Sequence, residues 1–210
     1  MTKNRSINQK HSLVHDVHEY SVNFDKREIF LHSWCSSEEE SGVDYKSAIT
    51  LGKNLAILSS FSNSPITVHM QIVGGNWHDG MAIYNYIRSC INEVTIKGYG
   101  HVGSMSSIIL QAADKRLISE NCEFLVHFGS IGLEANSMAA KSMIDWNEKC
   151  NEKMLEIYAS RCENSKGFKG KDCTYRKNYI KKKIKDTQEW YMSSEEAVYY
   201  GLADGIIKAK

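Results

Sequence analysis

An α/β fold is predicted by three observations. Apolar strands and amphipathic helices alternate from about residue 45 to residue 127. The segment 66–73 is apolar on both faces, the pattern of a central parallel strand. Glycines stand where strands hand over to helices, at Gly74-Gly75 and at Gly103. At 210 residues and 23.9 kDa, the chain is long enough for one domain with a substantial core and short for two.

In chain order, residues 1 to about 18 are polar and read as a flexible or partner-ordered tail. His11, His15 and His18 lie in it, but with no element to orient them they are not read as metal ligands. Arg27-Glu-Ile-Phe-Leu31 reads as a short strand, and residues 35–42 as an acidic, serine-rich turn. Residues 45–61 repeat Ile49, Leu51, Leu55, Ile57 and Leu58 at helical spacing, with Asp44 or Ser41 as cap. Pro65, the only proline, marks the boundary before the 66–73 strand. Residues 79–90 predict a helix, 93–99 a strand, 104–113 an apolar helix, and 115–118 and 122–127 two more strands. A long helix follows over about 135–160. Its stripe of Met138, Met143, Trp146, Cys150, Met154 and Ile157 is suited to packing against another element or another subunit. Residues 164–175 read as a Gly/Lys linker, and a helix begins near Tyr179. In the stretch 193–198 a Ser is followed three residues later by Glu, a capping-box pattern read at either Ser193 or Ser194, and Ile206-Ile207 reads as a terminal strand.

Composition excludes more than it assigns. The 26 Lys and Arg against 25 Asp and Glu give a net charge near +1, so nothing points to nucleic acid or a membrane surface. The one local bias is the basic stretch 169–185. No run approaches the roughly 20 apolar residues of a membrane span. Six cysteines without a CxxC pair, in a chain of this size with no signal-peptide pattern, read as free thiols of a reducing cytoplasm. No cofactor or metal motif is apparent.

The chemistry concentrates at Ser104. A serine hydroxyl needs a base to take its proton, a group to orient that base, and donors for the developing oxyanion. Gly103-Ser104-Met105 precedes a helix whose N-terminal N–H groups face the same spot. Gly74-Gly75 supplies a second run of N–H groups with room for a substrate backbone. His127 closes an apolar strand, and strand C-termini are where parallel sheets place function. From the residues alone, Ser104 is equally a helix N-cap and His127 equally a satisfied structural histidine.

Five ordered motifs resemble the ClpP-type serine peptidases, the proteolytic subunits of ATP-dependent Clp proteases, over about 27–207. They are Arg27-Glu-Ile-Phe-Leu31; Gly74-Gly75 with Gly80-Met-Ala-Ile-Tyr84; Gly100-His-Val-Gly-Ser-Met-Ser106; Phe124-Leu-Val-His127; and the stretch from Met192 through Glu195 and Gly201 to Asp204. The resemblance implies a spiral of repeated β-β-α units, as in crotonases, with a protruding long helix. It divides the chain into a flexible segment at 1–22, a candidate pore loop, and a peptidase domain at 23–210.

The same resemblance implies Ser104 as nucleophile, His127 as base, and Gly75 and Met105 as oxyanion donors. Gly74 and Gly129 would pair with extended substrate. The third triad member falls on Glu189, four residues ahead of Ser193, with Asp186 as the alternative. The family context implies a homo-oligomer, a heptameric ring or stacked double ring, that receives unfolded polypeptide from a separate AAA+ unfoldase of Clp type; this chain carries no phosphate-binding GK[ST] loop. Departures are evident: Ile72-Val73 replaces the Ser-Pro before the glycines, Asn76-Trp77-His78 follows them, the stretch after His127 is short, and 164–175 adds a basic insert. They resemble the divergence of virus-encoded (phage) or accessory members, whose location would be the host cytoplasm. An inactive ring scaffold and a capsid-processing protease on the same fold are the competing readings. An acyl-CoA hydratase-like relative is disfavoured by the Ser104 and His127 pair.

Overall fold

The computed structural model describes residues 7–32, 42–132 and 134–208. Helix α1 (Ile7–Tyr20) occupies most of the stretch that reads as a polar tail. A hairpin follows, β1 (Val22–Asn23) and β2 (Glu28–His32). Cys35 and the turn at 35–41 lie outside the described residues. Helix α2 (Tyr45–Phe61) starts at a capping box between Asp44 and Ser47, which satisfies two otherwise orphaned N–H groups. Then come β3 (Ile66–Gln71), α3 (Trp77–Arg88), β4 (Val94–Gly98), β5 (His101–Gly103), α4 (Met105–Leu110), β6 (Lys115–Ser119) and β7 (Glu123–His127). Helix α5 (Ser137–Arg161), α6 (Cys173–Thr187), β8 (Glu189–Met192), α7 (Ser194–Tyr199) and β9 (Gly205–Ile207) complete the chain.

The strands form two sheets. The larger has the order β1-β2-β3-β4-β6-β9 and is parallel except for the β1–β2 hairpin. Ile66, Val68 and Met70 of β3 are buried, while Thr67 and His69 on the other face are half-buried and Gln71 is exposed, so the strand is central but fully buried on one face only. The smaller sheet, β5-β7-β8, pairs β5 parallel and β8 antiparallel to β7.

This corrects the expected spiral of repeated, crotonase-like β-β-α units. The chain does not repeat one unit; it leaves the first sheet at a glycine turn and builds a second. Gly98 permits the close turn, because a Cβ there would meet Val102 Cγ2 at 2.6 Å. Gly100 takes φ +69°, a left-handed conformation that a β-carbon disfavours. Strand β8 then returns from α6 and runs against β7, a connection with no counterpart in the earlier units.

The other differences are local. Helix α3 begins two residues earlier than the spacing predicts, because the Asn76 carboxamide accepts from the N–H groups of His78 and Asp79. Helix α6 starts within the supposed linker, capped by Asp172. Cys90, Cys122, Cys150, Cys162 and Cys173 are free thiols. Among the described residues no helix is long and apolar enough to cross a membrane.

Candidate active site

The β5–β7 ladder brings the two key side chains together. Its last register pair is Gly103 with Leu125, and the Ser104 N–H continues it by donating to the Leu125 carbonyl at 3.1 Å. Ser104 therefore lies one residue beyond the pair on β5, and His127 ends β7 two residues beyond Leu125. Ser104 then turns sharply into α4 with φ 52° and ψ −127°, a conformation rare for a residue with a β-carbon and costing about 1–3 kcal/mol.

That turn is held from several sides. The Ser106 hydroxyl accepts from the Gly103 N–H (2.9 Å) and donates to the Gly103 carbonyl (2.8 Å). Ser107 Oγ donates to the Ser104 carbonyl at 2.7 Å. Its single proton is thus used, so the Tyr158 hydroxyl, 2.6 Å away, donates to it. Burial raises the Tyr158 pKa far above its ordinary range and keeps that donor protonated. The Gln111 amide donates to the Ser107 and Leu202 carbonyls, and its oxygen accepts from Arg116. Arg116, 5% exposed, forms an ion pair with Asp204. Although burial pushes the Asp204 carboxyl up, the Arg116 hydrogen bonds and charge outweigh it and hold the pKa below the usual range. The closing motif thus braces the serine turn through a polar chain. Of these residues, the sequence singles out only Ser106 and Asp204, as members of motifs, and none as a brace. The legible signal was hydroxyls and a glutamine inside an apolar helix, where each needs a partner.

Gly74 and Gly75 flank the serine. A Cβ on Gly74 would lie 2.6 Å from Ser104 Oγ, so only glycine admits this approach. Gly75 has φ +147°. The Val43 N–H donates to the Gly74 carbonyl (2.8 Å), and the Asn76 N–H donates to the Val43 carbonyl (2.9 Å). These two bonds straddle Gly75 and leave its N–H outside the bridge. Met105 opens α4, where a backbone N–H has no intrahelical partner, while its side chain is buried against Gly80.

A cavity of about 650 Å³ joins these parts. Ser104, His127, Gly75 and Met105 all line it, and Trp77, Ile108, Met143, Trp146 and Met154 make its walls largely apolar. His127 Nε2 is buried without a hydrogen-bond partner among the described residues. Gly129 also lines the cavity, with its N–H donating to Asn151 Oδ1 (3.0 Å) and its carbonyl accepting from Asn147 Nδ2 (3.3 Å).

The carboxylates stand apart from the cavity lining. Glu189 is the register partner of His127 across the β7–β8 ladder, so the two side chains leave the same sheet face. Its carboxylate accepts from the Tyr191 hydroxyl at 2.8 Å. Asp186, in the last turn of α6, forms an ion pair with Lys182 one turn earlier. No hydrogen bond from His127 to either is present among the described residues.

A family model described as Clp protease matches residues 15–210. The chain belongs to the Clp protease family. It is 31% identical over 169 residues to ATP-dependent Clp protease proteolytic subunit 2 of Pseudomonas aeruginosa, covering 79% of this chain and 77% of that protein. It is 26% identical over 169 residues to the ATP-dependent Clp protease proteolytic subunit of Deinococcus radiodurans, with 79% and 76% covered. Among solved structures, a point mutant of ClpP1 from Listeria monocytogenes superposes with a TM-score of 0.72 at 22% identity, covering 89% of this chain and 94% of that one. That likeness establishes the two-sheet fold.

Proposed function

We propose that this Clp-family chain is a serine endopeptidase that cleaves unfolded polypeptide by an acyl-enzyme route within a ring-shaped oligomer. The observation that carries the reading is Ser104, held in a strained turn, lining one cavity with a histidine whose Nε2 is buried and has no hydrogen-bond partner among the described residues. In this mechanism Ser104 Oγ attacks a peptide carbonyl while His127 Nε2 takes its proton. The N–H groups of Gly75 and Met105 receive the oxyanion. His127 then protonates the leaving amine, and water repeats the cycle on the acyl-enzyme. Glu189 orients His127 by turning from Tyr191 to its cross-strand partner, a side-chain rotation with no backbone change. The exposed apolar half of α5, with Met138, Met143, Ile144 and Trp146, is the proposed contact between subunits. The segment 1–22 gates the chamber, and a separate Clp-type unfoldase delivers substrate.

A second reading, a ring scaffold with little activity, is favoured by one observation: no carboxylate contacts His127 among the described residues. A fluorophosphonate probe with intact-mass readout separates the two. Labelling of the wild type that is lost in Ser104→Ala and weakened in Glu189→Gln supports the peptidase. An unlabelled wild-type assembly overturns it in favour of the scaffold.

A further inference from the structure

Two asparagines of α5 hold a single glycine by both of its backbone groups. Asn147 and Asn151 are one helical turn apart and so share a face. Asn151 Oδ1 accepts from the Gly129 N–H at 3.0 Å, and Asn147 Nδ2 donates to the Gly129 carbonyl at 3.3 Å. The pair thus presents one acceptor and one donor to one residue, the same set that a neighbouring strand offers. Gly129 stands two residues after His127, and all three residues line the cavity that holds Ser104.

The geometry has a directional consequence. When both polar groups of a residue in extended chain point to one side, those of its neighbours point to the other. In an extended segment with Gly129 turned to the helix, the backbone groups of Phe128 and Ser130 would face away from α5, open to an incoming chain. Gly129 itself is occupied. An exposed glycine with no strand partner would otherwise sample many conformations, and a peptide binding there would have to order it.

We propose that Asn147 and Asn151 are a positioning clamp that presets the segment 128–132 to pair with extended peptide. This rests on the peptidase reading above. The two amides are not equivalent, which gives the test its edge. An aspartate at 151 still accepts from the Gly129 N–H, whereas an aspartate at 147 cannot donate and sets a negative charge against the Gly129 carbonyl.

The experiment compares Asn151→Leu, Asn151→Asp, Asn147→Leu and Asn147→Asp in the full chain. Binding of a fluorescein-labelled, leucine-rich unstructured peptide is followed by anisotropy in a Ser104→Ala background. Cleavage of the same peptide is followed with Ser104 present, and hydrogen exchange over 128–132 is read by mass spectrometry. Asn151→Asp is expected within about twofold of the parent in all three. Asn151→Leu, Asn147→Leu and Asn147→Asp are expected to weaken binding and raise KM by about tenfold, with kcat within about twofold and faster exchange over 128–132. Equal losses in Asn151→Asp and Asn147→Asp, or unchanged exchange in Asn151→Leu, overturn the clamp. If the parent neither binds nor cleaves peptide, the peptidase reading fails, and the exchange data still decide whether the asparagines hold the segment.

Discussion

The two sides of the site are built to different standards. On the nucleophile side, the Ser104 turn is tied to β7 by its own N–H, to Gly103 through Ser106, and to Tyr158 through Ser107. On the orienting side, Glu189 is exposed and bonded to Tyr191, and Asp186 is exposed and paired with Lys182. A strained backbone persists only where its surroundings over-determine it, whereas a carboxylate on a strand edge can wait in another rotamer. On the proposed mechanism, Ser104 is held in place by the fold, whereas Glu189 would reach His127 only by a side-chain rotation away from Tyr191.

The sharpest way to break this contrast is at Gly74. A methyl in Gly74→Ala would fall 2.6 Å from Ser104 Oγ and 2.4 Å from its Cβ, so one of the two segments must move. Displacing the nucleophile by about 1 Å is expected to lower kcat/KM by about 100-fold, with fluorophosphonate labelling reduced in parallel. Activity within tenfold of wild type would show that the serine turn is not rigid.

The orienting side is sharpened by a pair of variants. Glu189→Gln is expected to lower kcat by about 100-fold or more, since an amide favours the wrong imidazole tautomer. Asp186→Asn is expected to stay within about twofold. Steady-state kcat and KM measured for each variant decide the matter. The reverse ranking would assign the role to Asp186 and require the last turn of α6 to open.

The smallest effect concerns the support of that side. Glu152 of α5 is held by Lys177 and Lys181 of α6, whose hydrogen bonds lower its pKa to about 2. A depressed carboxylate contributes stability above its unfolded pKa, near 4.5, and loses it as pH falls towards 2. The Glu152 side chain is 42% exposed, so solvent screens the pair and Glu152→Gln should cost about 0.5–1 kcal/mol at pH 7. Urea melts at pH 7 and pH 3 should show the gap narrowing with acid. A gap that widens would mean another group controls the α5–α6 contact.

Much of this was legible in the residues. The run 66–73 named a central strand, Asp44 was one of two candidate caps and proved to be the helix start, and the glycines around Ser104 marked the turn that β5 and β7 create. What escaped was short or non-local. Strand β5 has three residues, and β8 alternates exposed Glu189 and Tyr191 with buried Trp190 and Met192. Neither carries enough pattern to stand out, and each becomes a strand only by pairing with β7. The two-sheet plan was hidden for the same reason, since it depends on which strand pairs with which. The contacts of Asn147 and Asn151 were hidden because they form across 18 and 22 residues of sequence.

The hydrogen bond from the Ser104 N–H to Leu125 has a bearing on how the molecule comes into being. A serine at φ 52° is costly in a free chain and is stabilised only after β7 has docked beside β5. Tyr158 and Asp204, which brace the same turn, are made later still during synthesis. A growing chain therefore carries Ser104 as an ordinary alcohol on an unformed loop. On the proposed function, the serine turn is fully braced only after Asp204 has been made and has paired with Arg116.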